Sequence, residues 1–216
     1  ATYAFAIEAR RNVQLTSEIT ATEAAQNPVE FVPVAVNEAS ERRQLVSIEK
    51  CEACHVQISF HGSLRNNLDY CVTCHNPKET DIGRRPEELN DVSTVSFGYM
   101  IHKIHTGHEM EQPYTVYGYG NTPHDYSHVL FPGKRNQCNI CHIGEGQDAI
   151  PALPLSDEVE PIEFTTRSGQ MIAIAPTKAA CTSCHDSESA IAHADNFVQA
   201  GNAESCDACH GAGRNA

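Results

Sequence analysis

The chain has 216 residues, with 28 acidic against 15 basic side chains and a formal net charge of −13, which excludes the basic surface that nucleic-acid binding requires. Leu, Ile, Val and Phe supply only 43 residues and Trp is absent, so the chain lacks the apolar mass of an ordinary core and sits near the composition of a disordered one. No apolar run approaches the roughly 20 residues of a membrane helix.

Residues 1–40 read as a strand-rich lead-in, because TYAFAIEA and VEFVPVAV alternate or are β-branched. No secretory leader stands at the start, so the expectation is a mature chain or a piece of a longer one. CEACH follows at 51–55 and CVTCH at 71–75. Residues 90–106 predict a helix, capped by Asp91 or Ser93 and ended by Gly107. CNICH stands alone at 138–142. Residues 144–164 hold Pro151, Pro154 and Pro161 with six acids and predict an exposed acidic loop. CTSCH at 181–185 and CDACH at 206–210 flank an Ala-rich stretch, 187–200, that predicts a second helix ending before Gly201.

Each pentapeptide is C-x-x-C-H, the attachment signature of haem c. Two thiols three positions apart add to the two vinyl groups of one porphyrin, and the following His meets the iron. The assignments are Cys51, Cys54 and His55 for haem 1; Cys71, Cys74 and His75 for haem 2; Cys138, Cys141 and His142 for haem 3; Cys181, Cys184 and His185 for haem 4; and Cys206, Cys209 and His210 for haem 5. The five copies use every cysteine in the chain. A zinc ribbon also pairs C-x-x-C but does not need a His after each second Cys. A disulfide framework does not need regular spacing. A thioredoxin-type pair needs a βαβ context that is absent here. Five apolar porphyrin plates also resolve the composition, so a haem-packed core wrapped by mainly irregular chain with short α-helices is expected. The spacing of the motifs suggests one haem pair at each end, with haem 3 linking or branching from them.

Twelve histidines less five proximal ones leave seven, enough to give every iron a second histidine. His102 and His105, three apart on the predicted helix, share a face and can reach two neighbouring irons. His61 closely follows motif 1, and His193 lies on the second helix. For the fifth position His124, His128 and His108 are open alternatives on spacing alone. Met ligation would raise the potential, but nothing singles out a methionine, and Met100 reads as a packing residue.

The stretches RRQLVSIEKCEACH, FHGSLRNNLDYCVTCHNP, FGYMIHKIHTG, YTVYGYGNTPHDYSHVLFPGKRNQCNICH and CTSCHDSESAIAHADNF…ESCDACHGAG resemble the pentahaem domains of the outer-surface multihaem cytochromes of metal-reducing bacteria, the OmcA/MtrC type. The resemblance runs from about residue 41 to 213, so 41–216 is read as the pentahaem domain of a multihaem cytochrome c fold. It implies bis-histidine ligation throughout, with distal ligands on His61, His102, His105, His193 and, in the HD-aromatic-S string, His124. It also implies closely spaced haems forming a branched wire, and a cell-surface position at the outer membrane, with the periplasm as the alternative.

The function expected is electron transfer toward ferric minerals, metal complexes or flavins, in partnership with other multihaem cytochromes or an outer-membrane conduit. One rival is a catalytic reductase with an open iron position; pentahaem nitrite reductases typically mark that haem with C-x-x-C-K, and none occurs here. The other rival is an electron relay domain inside a larger assembly.

Overall fold

The computed structural model describes residues 1–144, 152–157 and 159–211, except for the side chain of residue 157. Its elements are short, and the chain divides into two compact units. One comprises the described residues of Ala1–Cys74 and Cys138–Ala149; the other comprises those of His75–Gln137 and Ile150–Ala216.

In the first unit, strand β1 (Thr2–Ala6) pairs antiparallel with β4 (Val29–Pro33), Ala4 opposite Phe31. The two predicted strand runs thus pair with each other, over five residues each. Between them lies a hairpin absent from the sequence reading: β2 (Arg10–Gln14) against β3 (Thr20–Ala24). The Thr16 hydroxyl closes its turn by accepting from the amides of Glu18 and Ile19, and Arg11 pairs with Glu23 directly across it. The lead-in is anchored by two asparagines. The Asn27 amide donates to Asn66 Oδ1 at 3.0 Å, and the Asn66 amide donates to Asn27 Oδ1 at 2.8 Å. Asn27 is fully buried, so this reciprocal pair satisfies polar groups that would otherwise be costly. Helices α1 (Ile48–Glu52) and α2 (Leu68–Cys74) complete the unit.

In the second unit, α3 (Phe97–Thr106) begins seven residues later than the predicted start at 90. Asp91 and Ser93 do not cap it, because both are taken by Arg85. That guanidinium donates to Asp91, Ser93 Oγ and the Thr115 carbonyl, and grips both oxygens of Asp81 at 3.0 and 3.1 Å. Segment 90–96 is thereby held outside the helix. Gly107 ends α3 as predicted, with φ +51°, and a Cβ there would meet the Val129 carbonyl oxygen. The hairpin β5 (Thr115–Tyr117) with β6 (Pro123–Asp125) follows. The acidic-loop prediction fails at its end: Ile162, Glu163 and Phe164 belong to strand β7 (Ile162–Thr165), which pairs with β8 (Met171–Ile174), and Ile162 is buried. Glu145, Asp148, Pro151 and Glu158 of that prediction lie outside the described residues. Helix α4 (Pro176–Thr182) starts on a proline at its first turn. Helix α5 (Glu188–Asn196) is capped by the Ser187 hydroxyl, which accepts from the Ala190 amide; it stops before the predicted 200. Helix α6 spans Asp207–His210.

The apolar core is sparse. Among the described residues the buried hydrophobic side chains are Ile58, Val95, Tyr114, Ile162, Ala175 and Ala179, fewer than the buried polar ones. No helix among the described residues is long and apolar enough to cross a membrane.

Candidate haem attachment and ligation sites

All five C-x-x-C-H strings lie on or beside a helical turn. The His55 amide donates to the Cys51 carbonyl at 2.9 Å, and His142 to Cys138, His185 to Cys181 and His210 to Cys206 at 2.8, 2.8 and 2.9 Å. These i→i+4 bonds bring each histidine onto the face of its first cysteine. In motif 2 the cysteines lie on α2, whose start is capped by the Asn67 side chain accepting from the amides of Asp69 and Tyr70. None of the ten cysteines is in a disulfide. Among the described residues no three His, Cys, Asp or Glu converge as a metal-ion cage would need, so the cysteines are arranged as separate pairs. Each pair of thiols, three positions apart, is followed by a histidine, and a thioether-anchored porphyrin fits this donor set.

In the first unit, motif 3 is stitched beside motif 1. Val46 bridges His142, the Ile143 amide donates to the Leu45 carbonyl at 2.8 Å, and Lys50 Nζ donates to the Asn139 carbonyl. Burial pushes the Cys51 thiol up, and Cys141 adds to the effect. Burial also raises Cys71, with Cys51 among the smaller contributors. His61 sits on a tight loop closed by the Phe60–Arg65 bridge. Its φ is +53°, and Gly62 and Ser63 follow in the left-handed region too; such strain in non-glycine residues is concentrated at functional sites.

In the second unit, His75 Nδ1 lies 2.9 Å from the Val95 carbonyl oxygen. A carbonyl only accepts, so Nδ1 carries the proton and Nε2 is left with a lone pair for a metal. His105 is arranged likewise, with Nδ1 at 2.8 Å from the Ile101 carbonyl and its ring edge-on to Phe131. His102 and His105 lie on α3, beside a buried stripe formed by Lys103 and Thr106. That stripe docks on motif 4: Thr106 Oγ1 is 3.2 Å from both the Ser183 carbonyl oxygen and Cys184 Sγ. Lys103 Nζ donates to Asp186 Oδ2 at 2.7 Å. Burial pushes the Asp186 carboxyl up, but hydrogen bonds from Lys103 and from the Glu111 and Gln112 amides outweigh it and hold the group below the usual carboxylate range.

His124 lies on β6 opposite Val116, with its ring over Gly118; a Cβ at that glycine would come within 2.7 Å of His124 Nε2. His128 projects into solvent, 90 % exposed, and His108 is exposed on the turn after α3. His193, on α5, faces His210 across 6.1 Å between ring centres, at an interplanar angle of 90°. Motif 5 is tied to motif 4 by Glu204, whose carboxylate accepts from the amides of Thr177 and Lys178 at 2.9 and 2.8 Å and so caps α4. Sequence reading misses Gly118, Glu204 and the Lys103–Asp186 pair. Only the place of Lys103 between two histidines, and of Asp186 directly after a third, could have signalled the last.

Residues 43–216 match the family model described as outer membrane cytochrome MtrC/MtrF-like, domains II/IV. Two solved structures share the fold. The outer membrane decaheme cytochrome OmcA is 24% identical with a TM-score of 0.55, and the match covers 85% of this chain and 24% of that one. MtrC from Shewanella baltica OS185 is 20% identical with a TM-score of 0.53, covering 97% of this chain and 34% of that one. The chain thus spans about a quarter to a third of the length of these structures. No curated protein matches it. With its repeated haem signature, its short helices and small antiparallel sheets, and a family match over most of its length, the chain belongs to the MtrC/MtrF-like outer membrane multihaem cytochromes.

Proposed function

We propose that the chain holds five haem c groups, each iron between two histidines, and conducts electrons through them. The observation that carries this reading is the His193–His210 pair. Their ring centres stand 6.1 Å apart, so His210, beside the Cys206 and Cys209 thiols, and His193, from α5, are near enough that both would hold one iron. The sparse core adds support, since porphyrin plates would supply the apolar mass the chain lacks. When bound, haem supplies a one-electron ferric–ferrous couple.

The chain's own residues anchor, orient and space that couple. Ten cysteines form the thioether links. Histidines 55, 75, 142, 185 and 210 would hold the irons beside their own cysteine pairs, and His61, His102, His105, His124 and His193 would supply the second ligands. Hydrogen bonds at His75 Nδ1 and His105 Nδ1 fix the tautomer that presents Nε2. The contacts that hold motif 3 beside motif 1, and the Glu204 carboxylate that ties motif 5 to motif 4, support neighbouring attachment points. Residues 41–216 form the haem-bearing domain, behind the 1–40 lead-in. The site of action is the cell surface, with electrons passing to ferric minerals, metal complexes or flavins from a partner cytochrome or outer-membrane conduit.

Mass spectrometry of the haem-loaded chain counts the haems, and electron paramagnetic resonance of the ferric protein reads their ligation. The expected result is five haems, all low-spin. One high-spin haem in five would replace this reading with an open-site reductase. The reduced chain is then mixed with ferric citrate: rapid reoxidation is expected, and oxidation only by a partner cytochrome would make it an internal relay.

A further inference from the structure

We propose that the buried Lys103–Asp186 ion pair is a charge-balanced clamp that positions α3 against motif 4 and, by cancelling its own two charges, keeps either of them from displacing the reduction potential of the haem attached there. The inference rests on the reading of Cys181, Cys184 and His185 as a haem site. Both partners are 3 % exposed, their charged atoms are 2.7 Å apart, and they are 83 residues apart in sequence. Each is bonded directly to the candidate ligation machinery. Lys103 lies between His102 and His105, and Asp186 follows His185. Asp186 is the hub: Oδ1 accepts from the Glu111 amide and Oδ2 from the Gln112 amide, both at 3.0 Å, and Oδ2 also accepts from Lys103. One carboxylate therefore fixes the helix, the segment leaving it and the motif together.

The pair is also an electrostatic device. Buried charges act through a low effective dielectric and are poorly screened by salt. While both are present their fields largely cancel at a nearby iron. Removing one exposes the other. A lone carboxylate stabilises the more positive ferric state and lowers the potential; a lone ammonium opposes that state and raises it. A purely structural clamp predicts something else, because loosening the same packing from either side moves the potential in one direction.

The experiment uses the full haem-loaded chain and three variants: Lys103→Met, Asp186→Asn and the two combined. Spectroelectrochemical titration reads the five potentials, and mass spectrometry confirms the haem count. One of the five potentials is expected to move down in Lys103→Met, up in Asp186→Asn, and back near its original value in the double variant, with five haems in each. Shifts of the same sign, or no shift, with five haems attached overturn the inference and leave the haem reading intact. A wild-type chain without haem on Cys181 and Cys184 overturns both. If a single variant does not accumulate, the double variant and the charge-preserving Lys103→Arg decide the matter, because removing both partners of a buried pair is far better tolerated than removing one. Both should keep the original potential while the single variant that does accumulate shifts in its stated direction; a displaced potential in either, or an unshifted single variant, overturns the proposal.

Discussion

His124 and His128 are separated by four positions in one string, and composition treats them alike. Their surroundings differ. The imidazole of His124 lies over Gly118, in space that exists only because position 118 has no Cβ; His128 stands in solvent beside Asp125 at 4.0 Å. Gly118→Ala is therefore expected to push the His124 ring aside. In the haem-loaded protein it should convert one low-spin haem to high-spin, as His124→Ala should, while His128→Ala leaves the spectrum unchanged. Paramagnetic resonance of the three variants checks this, and a high-spin haem in His128→Ala alone would transfer the ligand role to that residue. Spacing alone leaves both residues of the string HDYSH open, and the family resemblance points to His124. The structure adds a hairpin whose register sets Val116 against His124, a contact between strands that alternation in so short a segment does not reveal.

At the level of elements, caps and breaks explain where prediction and structure part. Helix α5 starts at Glu188, one residue after the predicted 187, because the Ser187 hydroxyl serves as its cap. Helix α3 begins late because Asp91 and Ser93 serve Arg85, a residue that lies upstream of the predicted helix and is folded back by its grip on Asp81. Helix α4 has no local side-chain cap; its exposed amides are met by Glu204, from the segment that leads into motif 5. The carboxylate also opposes the positive end of the helix dipole. Glu204→Ala is expected to cost about 1 kcal/mol, read as a lower denaturant midpoint, without loss of any haem. A change below a few tenths of a kcal/mol would show that water replaces the cap at no cost.

For the molecule as a whole, the shortage of apolar residues reappears as a sparse apolar core among the described residues. The buried set is dominated by hydrogen-bonded polar groups, such as Asp81 with Arg85 and Lys103 with Asp186, which specify geometry more than they supply stability. The haem-free chain, made by replacing all ten cysteines with serine, is expected to lack a cooperative unfolding transition, since the binding energy of the prosthetic groups is folding energy. Circular dichroism during a denaturant titration tests this; a sharp transition in the haem-free chain would show that the polypeptide carries its own core.

Sequence alone determined the five attachment motifs, the surplus of histidines, the acidic balance and the family resemblance, because thioether spacing and ligand chemistry are local properties of a few consecutive residues. It also located the strand lead-in and the Gly107 stop, where periodicity and a single backbone requirement suffice. Only the tertiary structure decided that motif 3 lies against motif 1, that His193 faces His210, that Gly118 makes room for His124, and that Lys103 meets Asp186. Each joins residues distant in the chain, and their pairing depends on which backbone segments pack together.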